Sequence, residues 1–405
     1  MRLRRTPDIG HNRGSACSTA GFCVTSIPLH SPTLDHAEVM RNLKDVIERG
    51  ALQGNGRFTD LCHDWLSKQY GTVGLLTHSC TAALDMAMML ADLTEERNEV
   101  ILPSFTFVST ATCIINSGGT PVFVDVDPST CNIDPAEVAK AVTPRTAAVI
   151  AVHYGGVCAD MDALAEICNQ HQLLLVEDAA QAFLSEYKGR QACTLSDLAC
   201  LSFHETKNVV SGEGGALIVN DASLIPRARI IRDKGTDRHE FMRPDSTLDK
   251  YTWQDKGSSY LPSELIAAVL HQQFNQAQDI TRRRVVIWQR YQSQLGELSE
   301  QGKIHLADVP SHCQTNGHIF YLRCADGEER GQLLKHLHQH GIGAAFHYIP
   351  LHSSRGAARF GARSCGDLAH TDTIASTIVR LPAYAHMTEQ DIDTVVGSVR
   401  AFYGS

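Results

Sequence analysis

Between residues 73 and 221 the chain repeats one pattern: a short run of apolar, β-branched residues, a longer amphipathic stretch, then another run. The runs read VGLLTHS, EVILPSFTF, TPVFVDVD, AAVIAVHYGG, LLLVEDAAQA, LACLSFHETK and GALIVND. Within most of them the apolar residues are consecutive rather than alternate, as expected of strands covered on both faces by crossover helices. The stretches between carry helix signals: TAALDMAMMLADL follows the first run directly, DPAEVAKAV has an Asp cap ahead of a proline, and DMDALAEICNQHQ leads into the fifth run. The simplest architecture is an α/β layer of seven mostly parallel strands joined by right-handed crossovers.

Beyond residue 262 the pattern changes. SELIAAVLHQQFNQAQDITRRRVVIWQRYQSQL reads as one long helix, followed by shorter mixed α and β pieces. This predicts a large domain over residues 26–270 and a smaller C-terminal α+β domain over 271–405, a division that suits a chain of 405 residues. Residues 1–25 are basic, polar and small, without the apolar core of a secretory signal, and are expected to form a disordered extension.

Composition narrows the function classes. Acidic residues number 45 against 36 basic ones, spread along the chain, giving a net charge of −9 and no basic footprint for a nucleic-acid backbone. No stretch approaches the roughly 20 apolar residues that span a bilayer. The 13 cysteines are scattered, several within apolar runs, with no Cys-x-x-Cys pair, so they read as reduced core thiols of a cytoplasmic protein. The HLHQH at residues 336–340 puts its histidines at alternate positions, off a common helical face, and no metal site is expected.

In an open parallel sheet, ligands sit beyond the carboxyl ends of the strands, and four of those ends carry unusual chemistry. After the first run, Ser79, Cys80 and Thr81 open a helix, where free backbone N–H groups and the helix dipole favour phosphate. After the second, Phe105 and Phe107 offer an aromatic face to a planar ring. The fifth run ends in Glu177 and Asp178, with Gln181 three residues on. A carboxylate there needs a cation, and a protonated pyridine nitrogen is one. The sixth run ends just before Lys207, and SGEGG supplies a tight turn before the next strand. Singly, these read as a helix cap, a core phenylalanine, a capping aspartate and a solvated lysine. Arriving in order on successive strands, they match what pyridoxal 5′-phosphate requires: a phosphate cradle, a ring stack, an anion for the ring nitrogen and an amine for a Schiff base with the aldehyde.

From about residue 26 to the C-terminus the chain resembles the DegT/DnrJ/EryC1/StrS sugar-nucleotide aminotransferases. The likeness is carried in order by SCTAALDMA, PSFTFVSTAT, NIDPAEV, VHYGGVCADMD, VEDAAQA, YKGR, SFHETKN, GEGGA, DKYTWQDKGSSYL and FHYIPLH. The resemblance implies the fold-type I architecture of pyridoxal-phosphate enzymes and a homodimer with active sites at its interface. It implies L-glutamate as amino donor and a dTDP-4-keto-6-deoxyhexose as acceptor, and it is nearest to members that make dTDP-4-amino-4,6-dideoxygalactose for surface polysaccharide.

Residue by residue, the resemblance makes Lys207 the Schiff-base lysine and Asp178 the partner of the ring nitrogen. Gln181 falls beside the ring, Phe107 stacks on it, and Ser202 gives the phosphate a hydroxyl. Cys80 and Thr81 stand where most members have Gly-Thr at the phosphate, and Ser259 where many have an Asn reaching in from the neighbouring subunit. Arg57, Lys188, Arg190, Lys234 and Arg238 are candidates for the sugar nucleotide's diphosphate, and His347, Tyr348 and His352 fall near the site. Dehydratase relatives carry His in place of the lysine, and a sugar-nucleotide sensor without turnover would have no need of Lys207, Asp178 and Gln181 together.

Overall fold

The protein's structure, a computed structural model, describes residues 27–242 and 245–404, so the extension expected over residues 1–25 lies outside the described residues. Each of the seven apolar runs contains a strand: β1 (Val73–Thr77), β2 (Glu99–Pro103), β3 (Thr120–Val124), β4 (Thr146–Val152), β5 (Leu174–Asp178), β6 (Leu198–Ser202) and β7 (Gly215–Val219). Their order across the sheet is β1-β7-β6-β5-β4-β2-β3. An eighth strand that the hydrophobic pattern does not mark, Arg363–Ser364, pairs parallel with β3. Two polar residues carry no strand signal; backbone pairing recruits them, with the Cys365 N–H donating to the Phe123 carbonyl at 2.9 Å.

Neighbours among β2 to β6 run parallel. β7 runs antiparallel to both β6 and β1. The cause is the connection: no helix lies between Ser202 and Gly215, and without a crossover the chain can only turn back on itself. That returning loop carries Lys207 over the carboxyl edge of the sheet.

The pleat sends Leu76, Ile101, Val149, Leu175 and Leu201 to one face and Leu75, Val100, Ile150, Val176 and Leu217 to the other. The first face packs under α2 (Arg57–Tyr70) and α6 (Met161–His171), with α1 (His36–Arg49) and α5 (Pro135–Ala141) adding Val46, Val138 and Ala141, and the second under α3 (Cys80–Leu90) and α4 (Ser109–Asn116), joined by Ala228 and Ile231 of the helix Ile225–Arg232. Two-sided burial explains the unbroken apolar runs.

The long helix α7 (Glu264–Glu300) is shared between cores. Its Ala267, Leu270, Phe274 and Ala277 pack into the core under the sheet. Its Ile287, Trp288, Tyr291, Leu295 and Leu298 pack into a second core with β8 (Phe320–Arg323) and β9 (Ile378–Leu381). Burying each leucine contributes about 1.5–3 kcal/mol, so one helix ties the two bodies together through its side chains. Among the described residues no helix is long and apolar enough to cross a membrane.

At the start of α7, buried Glu264 reaches back to the N-terminus of α2. Its carboxylate accepts from the N–H groups of Gly56, Phe58 and Thr59 at 3.1, 2.7 and 3.0 Å, and from the Thr59 hydroxyl. A negative charge at a helix N-terminus satisfies donors that the helix itself leaves free. Glu264→Ala is expected to destabilise the protein by roughly 3 kcal/mol or more, since several buried donors lose their acceptor at once. Glu264→Gln should cost less. Thermal unfolding midpoints of the two variants check this, and an unchanged midpoint in Glu264→Ala would refute the assignment.

Candidate active site

β5 delivers two carboxylates, and the pleat separates them. Glu177 turns into the core, where it accepts from the Cys193 and Leu195 N–H groups at 2.7 and 2.9 Å, the Ser196 hydroxyl at 2.8 Å, and His153 at 2.9 Å. The His153 Nδ1 accepts from the Ala159 N–H, which leaves Nε2 as the donor to Glu177. Four partners make Glu177 a structural strut. Asp178, one residue on, points the other way. It receives only the Thr110 hydroxyl at 2.8 Å and the Ala180 N–H at 3.2 Å. Burial pushes its carboxyl above the ordinary value, opposed by those two hydrogen bonds and then by the charge of Lys207.

Lys207 lies in the loop between β6 and β7. The loop is closed by backbone bonds from Phe203 to Gly214, Ser211 to Phe203 and Glu205 to Gly212, and Gly212 takes the left-handed conformation that the turn needs (φ 83°). The Lys207 N–H donates to the His204 carbonyl at 2.9 Å. Its ammonium has no hydrogen bond or salt bridge among the described residues, although it feels the charge of Asp178. Burial pulls its pKa below the ordinary lysine value, and the nearby Arg380 pulls in the same direction.

The N-terminus of α3 faces the same space. Ser79 caps it, its hydroxyl accepting from the Ala82 N–H at 3.1 Å, while the Thr81 hydroxyl meets that of Ser109 at 2.7 Å. Cys80 lies within electrostatic reach of both Asp178 and Lys207. Ser202 ends β6, opposite Gly215 of β7. A Cβ on Gly215 would come within 2.4 Å of the Ser79 carbonyl carbon and 2.5 Å of the Cys80 nitrogen. Only glycine lets β7 press this closely against the helix start.

A wall of rings closes the other side. Phe105 is buried 5.0 Å from Tyr154, and Tyr348 stacks on His347 at 3.7 Å. Phe107 is 57% exposed, its ring 6.3 Å from Tyr348. Gln181 bridges the two bodies, accepting from the Gly155 N–H at 2.8 Å and donating to the Tyr348 hydroxyl at 2.9 Å. The backbone of Tyr348 sits at φ 27°, a strained value for a bulky side chain that its partners must hold in place. Tyr154 meets His347 Nδ1 at 2.7 Å, and His352 meets the Ser104 hydroxyl at 2.8 Å.

The profile of the DegT/DnrJ/EryC1/StrS aminotransferase family matches residues 34–400. The chain belongs to that family. The spore coat polysaccharide biosynthesis protein SpsC of Bacillus subtilis is 30% identical over 380 residues, 92% of this chain and 96% of its own. GDP-perosamine synthase of Caulobacter vibrioides is 32% identical over 327 residues, 79% of this chain and 82% of its own. Among solved structures, DesV of S. venezuelae, in complex with a ketimine intermediate, superposes with a TM-score of 0.84 at 29% identity, over 93% of this chain and 99% of that one. The fold is thus the expected aminotransferase fold, type I among pyridoxal-phosphate enzymes.

Of the residues that the sequence singles out in this aminotransferase, Cys80, Asp178, Gln181 and Lys207 converge, with Thr81 and Ser202 at the glycine-narrowed helix start. Ser259 is exposed, bridged to Asp233, and its neighbour Tyr260 accepts from the N–H of His78 at 3.0 Å. The five candidate diphosphate cations are engaged elsewhere: Arg57 pairs with Asp45, Lys188 and Arg190 with Asp162, and Lys234 and Arg238 with Asp233. The three HLHQH histidines each reach a backbone carbonyl.

Sequence reasoning missed Thr110, Tyr154 and Asn208. Thr110 lies one helical turn past Phe107 within PSFTFVSTAT, and Asn208 follows the lysine in SFHETKN, but a motif does not say which of its polar side chains reaches the site. Asn208 donates to the Asn316 carbonyl at 3.0 Å and meets His318 Nδ1 at 3.0 Å, which anchors the lysine loop to the segment before β8.

An unpartnered amine, a carboxylate with few donors, and a helix start that any Cβ on Gly215 would obstruct fit pyridoxal 5′-phosphate by its aldehyde, ring nitrogen and phosphate. Because only the neutral amine is nucleophilic, cofactor uptake by the cofactor-free protein should quicken as pH rises and level off at a midpoint below the ordinary lysine value of 10.5. Absorbance-monitored reconstitution across pH measures it, and a midpoint at or above that value would count against the burial argument.

Proposed function

We propose that the protein is a pyridoxal-phosphate-dependent aminotransferase that moves an amino group from L-glutamate to carbon 4 of a dTDP-4-keto-6-deoxyhexose. The products are 2-oxoglutarate and dTDP-4-amino-4,6-dideoxygalactose, a precursor of surface polysaccharide. The observation that carries the reading is the Lys207 amine, held without a partner beside buried Asp178. Family membership supports the reaction class, and the kinship with SpsC and GDP-perosamine synthase supports a nucleotide-linked sugar as acceptor. The choice of dTDP, of carbon 4 and of the galacto product rests on the resemblance of the motifs from SCTAALDMA to FHYIPLH.

When bound, the cofactor supplies an aldehyde that condenses with amines and a ring that takes up the electrons released at the α-carbon. Lys207 would hold the aldehyde and, once displaced by the donor's amine, carry the α-proton, a task that its lowered pKa suits. Asp178 would face the ring nitrogen, and that cation would offset the cost of burying the carboxylate. Thr110 orients Asp178 through its hydroxyl. The backbone N–H groups at Cys80 and Thr81, with Ser202, would take the phosphate. Phe107 would cover one face of the ring and Gln181 flank it, while Ser259 would complete the phosphate site of a second copy in a homodimer.

Incubation with glutamate and dTDP-4-keto-6-deoxyglucose should yield the 4-amino sugar, identified by NMR of the product, with ping-pong kinetics. Lys207→Ala should abolish turnover, and Asp178→Asn should lower it by about a hundredfold or more. Absence of amino sugar from any 4-keto sugar nucleotide would reject the reading, and amine at carbon 3 would reject the regiochemistry.

A further inference from the structure

A cavity of about 430 Å³ opens along the free edge of β1, away from the cofactor site. β1 is an end strand of the sheet, paired among the described residues with β7 alone. The cavity lies against its first residues, Val73 to Leu75, whereas the cofactor site begins past its last. Two helices flank that edge. α2 turns Asp60, Asp64 and Ser67 toward it, positions three and four apart that share one helical face. The helix Ile225–Arg232 turns Arg229 and Arg232 toward it by the same spacing.

The charges of the two walls do not meet. Arg229 makes no hydrogen bond or salt bridge among the described residues, and its Nε is buried. Arg232, 6% exposed, donates through Nε to the Leu76 carbonyl at 2.6 Å and through Nη1 to Asn55 at 2.9 Å, which leaves its buried Nη2 unpartnered. The acid beside them, Asp233, is held by Lys234 and Arg238 at 2.9 and 3.6 Å. Across the cavity Asp60 and Asp64 form no salt bridge among the described residues. Partial burial lifts the Asp60 carboxyl above its ordinary value, and the charges of Glu264 and Asp64 add to the lift. Two guanidiniums therefore lack an anion and two carboxylates lack a cation. Hydrogen-bonding groups lie between them. Gln53 and Ser67 make no side-chain hydrogen bond among the described residues, and Gly74 directs its N–H and carbonyl to the open edge, as Leu76 does two residues on toward His63 and Arg232.

We propose that this cavity binds an amino sugar bearing a phosphate or diphosphate, with the oxyanion on Arg229 and Arg232, the ammonium on Asp60 and Asp64, and the hydroxyls on the polar groups between. A guanidinium fork matches a phosphate in two parallel N–H···O bonds, but an oxyanion alone would leave the carboxylates without a cation. An α-amino acid carries its ammonium beside its carboxylate, too close to span walls that do not pair with each other. The volume falls in the range of roughly 300–1,000 Å³ typical of pockets that enclose small organic ligands. The site stands apart from the aminotransferase reading. Under that reading it tells the amino product from the keto substrate, which has no ammonium to offer Asp60 and Asp64.

The test is calorimetric binding to the borohydride-reduced holoenzyme, with the cofactor fixed covalently so that it cannot capture an added amine. Glucosamine 6-phosphate should bind wild type at least about tenfold more tightly than glucose 6-phosphate, which lacks the ammonium. Arg229→Gln and Asp64→Asn should each weaken glucosamine 6-phosphate by about tenfold, while only Arg229→Gln should weaken glucose 6-phosphate. Neither side chain holds another part of the fold, so the unfolding midpoints of both variants should match wild type. The same titration with dTDP-4-amino-4,6-dideoxygalactose distinguishes a nucleotide-linked ligand from a free sugar phosphate by which of the two binds more tightly. Failure of wild type to bind either amino sugar would overturn the proposal, as would equal affinity for the amino and hydroxy sugar phosphates, or affinities unchanged in both variants. Binding that depends on Arg229 and Asp64 in a protein making no amino sugar would keep the cavity's role and reject only the reaction.

Discussion

A lysine amine without a counter-ion, set near a carboxylate it does not touch, is a costly arrangement in a protein interior. Direct contact between Lys207 and Asp178 would relieve the cost and fill the space. The fold prevents that contact. Asp178 is fixed at the end of a strand with neighbours on both sides and held by Thr110, while Lys207 hangs from a closed loop anchored through Asn208 to the segment before β8. The gap between them is the site, and the features around it either hold it open or line it.

The packing of the two bodies serves the same end. α7 runs through both cores, Asn316 donates to the carbonyls of Gln181 and Phe183 at 2.9 Å each, and Gln181 holds the Tyr348 hydroxyl. The ring wall contributed by residues 347–348 therefore cannot shift relative to the sheet edge without breaking hydrogen bonds at a buried junction. The strained backbone of Tyr348 is sustained by that junction, as strain at a functional position requires surrounding structure to over-determine it.

Much of this was legible along the chain. Continuous apolar runs disclose the strands, and the rule that ligands gather at carboxyl ends of parallel strands singles out Cys80, Asp178 and Lys207 from the sequence. The reversed direction of β7 was not legible, because hydrophobicity is blind to strand direction. The eighth strand escaped for a related reason: Arg363 and Ser364 are held by backbone pairing with β3 and by the Arg363–Glu99 ion pair at 2.8 Å, neither of which leaves an apolar run in the sequence. The motifs assign Asp178 a role and leave Glu177 without one; the pleat and four donors place Glu177 in the core.

The sequence by itself determined the alternation of strands and helices, the residue types for binding a phosphorylated aldehyde, and the family, because these reside in local periodicity and in motifs of adjacent residues. Tertiary structure alone decided which polar groups are satisfied and which are left open. Thr110 meets Asp178 across 68 positions, and Gln181 meets Tyr348 across 167. A hydrogen bond depends on distances of a few ångströms between segments remote in sequence, and no local pattern encodes that distance.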